Sequence, residues 1–304
     1  MLYILTGPTA VGKTQLSLDW AVQANAEIVS CDSLLCYRGM DIGTAKPSLA
    51  EQARVPHHCI DLVEPSERYS LGAFLERAAE AVADILGRGR RVLVTGGSGF
   101  YLKGFVQPVV DAIVIPDGIH QQVEAIRAQG GLGALVDALR EVAPHDWDLI
   151  DTCNERRVVP ALKRCLATGK GVAELRQQAS VAPYPFAEFE VQCVLLQRSL
   201  PSLQQRISLR TREMLEAGLI AEVQHLKGMG FEANPSAAQS IGYRECLAHL
   251  RGEMDRDGLE AAINQNTLKL AKKQNKWFRH QMRFDRVVDL DTESVDPKSL
   301  FVLS

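Results

Sequence analysis

The sequence predicts an α/β fold in which a parallel sheet core carries an inserted all-helical subdomain and a helical C-terminal region. Three observations lead there. Residues 2–5 form a short apolar run that passes through a glycine-bearing turn into a helix ending near Ala24, and a second strand-like run covers 27–30, a β-loop-α-β opening. Leu71, Phe74, Leu75, Ala78, Val82 and Ile85 recur at helical spacing, and Val92, Leu93 and Val94 follow Gly87 and Gly89 as a buried strand. Strands alternating with helices pair in parallel and are covered on both faces. Beyond Pro116 the texture is helical alone.

In the middle of the chain the periodicity predicts helices over 119–128, 131–142 and 155–167, closed by Pro183-Tyr184-Pro185. A strand over 191–196 returns to the core. Helices over 203–216, 220–226, 240–250 and 259–280 come next, and a last strand covers 287–290. The chain therefore divides into 1–115, the first part of the core; 116–183, the inserted helical subdomain; and 184–304, which completes the core and adds basic C-terminal helices.

A chain of 304 residues, 46% hydrophobic and 23% charged, can bury a sizeable core. No stretch is long and apolar enough to span a bilayer, and the N-terminus lacks the charged and apolar regions of a signal peptide. The seven cysteines are odd in number and include no C-x-x-C pair, which disfavours a disulfide framework and a zinc site and fits a reducing cytoplasm. A cytoplasmic monomer with no membrane partner is expected. His57, His58 and Cys59 adjoin, but nothing nearby completes a metal site, so packing or hydrogen bonding is their expected role.

Gly7-Pro8-Thr9-Ala10-Val11-Gly12-Lys13-Thr14 satisfies G-x-x-x-x-G-K-[ST] between a strand and a helix, which makes the core P-loop NTPase-like. Backbone N–H groups there converge on phosphate oxygens, the helix N-terminus adds partial positive charge, Lys13 adds a full one, and the Thr14 hydroxyl can ligate Mg²⁺. A nucleoside triphosphate and a diphosphate present the same oxygen pattern. Phosphoryl transfer needs an acidic residue after a second core strand. Asp32 is the well-placed candidate, either positioning a metal or accepting a proton, and an ATP-dependent small-molecule kinase stays open at this point.

The net charge of −3 conceals a cationic segment: Lys269, Lys272, Lys273, Lys276, Arg279, Arg283 and Arg286 stand against the single acid Asp285. Their three- and four-residue steps put most of them on one helix face, with Leu270, Trp277 and Phe278 as expected anchors to the core. Such a stripe suits a polyanion as well as it suits solvent.

Taken together, several stretches resemble the tRNA dimethylallyltransferase family. They are the phosphate motif; Ser30-Cys31-Asp32-Ser33 continuing through 37–47; His57-His58 leading to Asp61; Gly96-Gly97-Ser98-Gly99-Phe100-Tyr101-Leu102; residues 157–162; Ser240-Ile241-Gly242-Tyr243-Arg244-Glu245; and 270–274 with Trp277-Phe278-Arg279. The resemblance implies a prenyltransferase that moves the allyl group of dimethylallyl diphosphate to N6 of adenosine 37, beside the anticodon, in tRNAs reading codons that start with U. It implies Mg²⁺ and no ATP hydrolysis. Gly7 to Thr14 would hold the diphosphate, Asp32 would act as general base, and Ser98 and Arg206 would serve the reaction centre, with Arg210 a further source of charge. The tRNA anticodon stem-loop would meet Asp32, Ser33, Leu34 and Leu35; Arg156, Arg157, Val158, Val159 and Pro160 of the insert; Gln239, Ser240, Ile241, Gly242, Tyr243 and Arg244; and Lys272, Lys273, Gln274, Lys276, Trp277 and Arg279. Leu35 stands where the family usually has glutamine, Ser98 where it has threonine, Phe100 where it has leucine, and Pro160 and Lys163 where it has arginine and glutamate. A relative that prenylates free adenine nucleotides would share the cradle and the base but not need the insert or the basic stripe.

Overall fold

The computed structural model describes residues 1–109 and 113–303. They form two compact units, one of Met1–Val106 with Pro185–Ser304, the other of Gln107–Tyr184. The second unit thus begins at Gln107, ahead of the first helical residue, Asp117, where periodicity can start to signal it.

In chain order the elements are β1 (Leu2–Thr6), α1 (Lys13–Ala24), β2 (Ala26–Ser30), α2 (Leu49–Arg54), β3 (His57–His58), α3 (Leu71–Gly87), β4 (Arg91–Gly96) and α4 (Gly99–Lys103). The second unit contributes α5 (Asp117–Val142), α6 (Glu155–Thr168) and α7 (Val172–Ser180). The chain then runs through β5 (Val191–Gln197), α8 (Leu200–Glu216), α9 (Leu219–Gly228), α10 (Pro235–Ala238), α11 (Tyr243–Leu250), α12 (Arg256–Gln281) and β6 (Arg286–Asp289).

The six strands form one parallel sheet in the order β3-β2-β4-β1-β5-β6. All five residues of β1 and all five of β2 are buried, as strands covered on both faces require. Leu5, Ile28, Leu93 and Val194 join one core cluster with Leu18 and Ala21 of α1 and Leu203 and Ile207 of α8. Tyr3, Trp20 and Phe301 pack ring to ring in the same cluster, with centroids 4.9 to 5.2 Å apart, and each such aromatic contributes about 2 to 3 kcal/mol by leaving water. The register aligns the strand ends: Thr6 is level with Gly96, and Ser30 with Thr95, so the loops leaving β1, β2 and β4 depart side by side from the carboxyl edge.

Elements that bury an apolar stripe match the periodicity, and the mismatches are short or unburied. α2 buries nothing and is held by a capping box in which Ser48 accepts from the Glu51 N–H and the Glu51 carboxylate accepts from the Ser48 N–H. The helix expected from residue 240 begins at Tyr243, because Gly242 at φ 94° cannot join a right-handed helix. α5 carries non-helical angles at Gly130 and Gly131, dividing it where two helices were expected. In α12 the anchoring stripe is Leu259, Ile263, Ala271 and Phe278; Leu270, expected there, is exposed because one residue rotates the side chain about 100° off that stripe.

Candidate functional site

Parallel strands place all their carboxyl ends at one edge, and ligands of such sheets bind in the crevice outside it. Three loops meet there: Gly7 to Gly12 after β1, Cys31 to Leu35 after β2, and Gly97-Ser98 after β4. Gly12 caps α1 at φ 112°, a left-handed conformation that a side chain would strain, and from it the first amides of α1 run without intrahelical partners. Those donors, with the helix dipole behind them, form an anion nest.

Lys13 folds over this nest, its Nζ donating to the carbonyls of Gly7 and Pro8 at 2.9 Å each. Burial, and then the charge of Arg210, lower its ammonium to about 8, against the pull of Asp32. Desolvation raises the Asp32 carboxyl above the usual range, opposed by the Leu34 N–H, which Oδ1 accepts at 3.0 Å, and by Lys13 and Arg210. Ser98 joins from β4: its hydroxyl oxygen accepts from the Ser33 N–H at 3.3 Å. A carboxylate, a hydroxyl and a lysine from segments that follow three different strands are thus gathered at one edge.

Helix α8 supplies two arginines. Arg206 Nε donates to the Ala10 carbonyl at 2.7 Å, which fixes its exposed guanidinium beside the nest. Arg210, one turn on, is coupled electrostatically to Asp32 and Lys13, and its Nη2 lies 3.5 Å from the Thr44 carbonyl. The resemblance implies Arg206 at the reaction centre and Arg210 as a further source of charge; the structure brings both beside the nest. A signal was present: Arg206 and Arg210 each stand one position before the buried stripe Leu203, Ile207, Thr211 and Leu215, at its border with the open face.

The expected RNA contacts sort by exposure. Lys272, Lys273, Lys276 and Arg279 of α12 are exposed, as are Gln239 and Arg244; Ser33, Leu34, Leu35, Ser240 and Ile241 are half-buried. Arg156, Arg157 and Pro160 are exposed on the first turns of α6 in the second unit, and Val159 is half-buried. Four of the expected contacts are withdrawn from the surface. Tyr243 is fully buried, its hydroxyl donating to Glu222 at 2.6 Å while that carboxylate also accepts from the Asp41, Ile42 and Gly43 amides, so it props a loop and offers RNA no ring face. Val158 is fully buried in the core of the second unit, and Gly242, the N-cap of α11, is buried. Gln274 points inward: its carboxamide joins the Thr9 N–H to the Gly97 carbonyl. Within the phosphate motif, Pro8 has no N–H and that of Thr9 is taken, so neither adds an amide donor.

His58 Nε2 lies 2.7 Å from the Glu27 carboxylate, and among the described residues there is no cluster of three His, Cys, Asp or Glu side chains that could hold a metal. Among the described residues no helix is long and apolar enough to cross a membrane.

A P-loop-type parallel sheet whose anion nest faces a desolvated carboxylate and two arginines defines a phosphate-ester-handling enzyme core. Comparison with known proteins makes it specific. The model of the IPP transferase family matches residues 35–281, and that of the isopentenyl transferase family matches residues 1–60. A tRNA dimethylallyltransferase of Opitutus terrae is 47% identical over 288 residues, spanning 95% of this chain and 92% of its own, and one of Roseiflexus sp. is 40% identical, spanning 97% and 94%. Among solved structures, the tRNA isopentenylpyrophosphate transferase of Bacillus halodurans aligns with a TM-score of 0.67 at 32% identity over 96% of this chain and 91% of that one. A eukaryotic dimethylallyltransferase captured acting on tRNA aligns with a TM-score of 0.80 at 25% identity, over 95% and 73%. The chain belongs to the IPP transferase family, the tRNA dimethylallyltransferases.

Proposed function

We propose that this enzyme transfers the allyl group of dimethylallyl diphosphate to N6 of adenosine 37 in tRNA, releasing diphosphate. The observation that carries the reading is the desolvated Asp32 carboxyl, which keeps one backbone donor and lies in the field of Lys13 and Arg210 at the mouth of the anion nest. Breaking the allylic carbon–oxygen bond builds negative charge on the diphosphate. Fixed cations and amides aimed at it stabilise the transition state more than the ground state. Lys13, the first amides of α1, Arg206 and Arg210 take that role. The adenine amine is a weak nucleophile because its lone pair is delocalised into the ring. Asp32 accepts the N6 proton as the nitrogen–carbon bond forms, a contribution of about two to four orders of magnitude in rate. Its raised pKa makes it a stronger base than an ordinary carboxylate.

Mg²⁺ fits a site of this kind. Thr14 offers one exposed hydroxyl on the first turn of α1, and Mg²⁺ characteristically takes few protein ligands and completes its shell with substrate phosphates and water. When bound it would neutralise charge on the leaving diphosphate. The exposed cations of α12 favour an RNA acceptor over a free nucleotide, because phosphate contacts supply most of the affinity for nucleic acid.

Incubation with Mg²⁺, labelled dimethylallyl diphosphate and unmodified tRNA bearing adenosine 3′ to the anticodon is expected to label the tRNA. Label on AMP in preference to tRNA would move the assignment to an adenine-nucleotide prenyltransferase. Consumption of ATP with no prenyl transfer would move it to a kinase.

A further inference from the structure

Gln274 lies on α12 among the exposed Lys272, Lys273 and Lys276, yet is itself half-buried and turned the other way. Its Oε1 accepts from the Thr9 N–H at 2.8 Å and its Nε2 donates to the Gly97 carbonyl at 2.9 Å. Only one orientation of the amide satisfies both partners, since one is a donor and the other an acceptor. Thr9 belongs to the phosphate loop after β1, and Gly97 to the loop after β4 that carries Ser98. The fit is close on the Gln274 side: a Cβ on Gly97 would sit 2.8 Å from Gln274 Nε2, against 3.6 Å from the Gly7 carbonyl and 3.7 Å from Lys13 Nζ. A side chain at Gly97 would therefore push the Gln274 carboxamide aside, while meeting the Gly7 carbonyl and Lys13 only at ordinary contact distance.

We propose that Gln274 is a positioning residue for the allyl donor, a bracket that holds the phosphate loop and the Ser98 loop in register, and not a contact for RNA. Each loop alone is an irregular segment whose backbone polar groups need partners. By satisfying one group from each, Gln274 orders the nest before the diphosphate arrives, so the ordering is not charged against binding. The same helix presents its cations outward, so one element carries the polyanion-facing surface on one side and the cradle's bracket on the other.

The inference rests on the reading that the nest takes a diphosphate, and the test separates the two. Titration of the intact protein with inorganic diphosphate and Mg²⁺ by calorimetry is compared for wild type, Gln274→Met and Gln274→Glu, with tRNA affinity and the two KM values measured in parallel. Met keeps the volume and removes both hydrogen bonds. Glu keeps the acceptor for Thr9 but loses the donor to Gly97 and sets a negative charge near Lys13. The expected order of diphosphate affinity is wild type, then Met weaker by roughly tenfold, then Glu weaker still. For Gln274→Met, the KM for allyl donor rises with it, while tRNA affinity and its salt dependence stay at wild-type values. Wild-type diphosphate affinity in Gln274→Met together with weakened tRNA binding would overturn the proposal and return Gln274 to the RNA contacts. Absence of diphosphate binding by the wild type would instead overturn the reading of the cradle, and the bracket with it.

Discussion

Two carboxylates at opposite ends of one strand show how the same chemical group is made structural or reactive. Glu27, at the amino end of β2, is fully buried and saturated: two nitrogens of Arg88, Arg90 at 2.9 Å and His58 at 2.7 Å all meet it. Hydrogen bonds from Arg88 above all, then from Arg90 and His58, hold it at about 2 against the opposing effect of burial. Asp32, two residues beyond the carboxyl end, takes a single backbone donor, and desolvation wins. Burial alone therefore does not decide the character of a carboxylate; the number of donors on it does. At the amino end of β2 the Glu27 carboxylate has its lone pairs filled. Beyond the carboxyl end Asp32 keeps acceptor capacity free in a desolvated place, which costs stability.

The comparison is broken most sharply by Asp32→Asn. Turnover is expected to fall by about two to four orders of magnitude, the usual contribution of a general base, in a labelled-prenyl transfer assay. The melting temperature is expected not to fall. A raised folded-state pKa means that ionisation at neutral pH opposes folding, and the neutral amide removes that opposition. An active Asp32→Asn enzyme would leave the proton acceptor to another group.

Glu27→Gln should invert both outcomes. Activity per folded molecule is retained, while stability at neutral pH drops by about 3 kcal/mol, the value of a shift from 4.5 to about 2 at 1.36 kcal/mol per unit, less what water returns to the half-exposed arginines. The sign follows from a depressed carboxylate: its contribution is complete above about 4.5 and lost as pH falls towards 2. Urea unfolding at pH 7 and pH 3 measures it, with the wild type converging on Glu27→Gln at the lower pH. Equal stabilities at pH 7 would mean that the cluster is ornamental.

The two carboxylates also differ in how readily the sequence disclosed them. Asp32 could be found because it follows a strand in a β-loop-α-β unit that also holds Gly12-Lys13-Thr14, and strand ends are where parallel sheets do chemistry. The parallel sheet, the order of the main helices and the basic stripe were legible for a similar reason: each leaves a periodic trace. Glu27 left none, since its partners Arg88, Arg90 and His58 are distant in sequence and meet only through the pairing of β2 with β3 and β4. Tyr243 and Gln274 misled for the same cause. Both were expected at the RNA because the family resemblance implied it, and only the tertiary fold shows one ring buried against Glu222 and one carboxamide turned into the cradle.

The finest test concerns Lys13, which lies between the two regimes: partnered by the Gly7 and Pro8 carbonyls but, like Asp32, left with valence for a substrate. Its ammonium titrates near 8 in the free enzyme, first because burial disfavours the charge and then because Arg210 repels it. A diphosphate in the nest supplies the missing counter-charge and raises that value. Because kcat/KM for the donor reports the free enzyme and kcat the complex, their alkaline limbs should separate. The kcat/KM limb is expected to fall by about tenfold between pH 7 and pH 9, as a single group near 8 loses its proton, while kcat stays level over that range. Lys13→Arg, whose guanidinium keeps its charge throughout, should lose the limb whatever its absolute rate. Coincident limbs in kcat and kcat/KM would show that Lys13 and the diphosphate do not share charge, and that the lysine belongs with Glu27 among the groups that merely hold the fold.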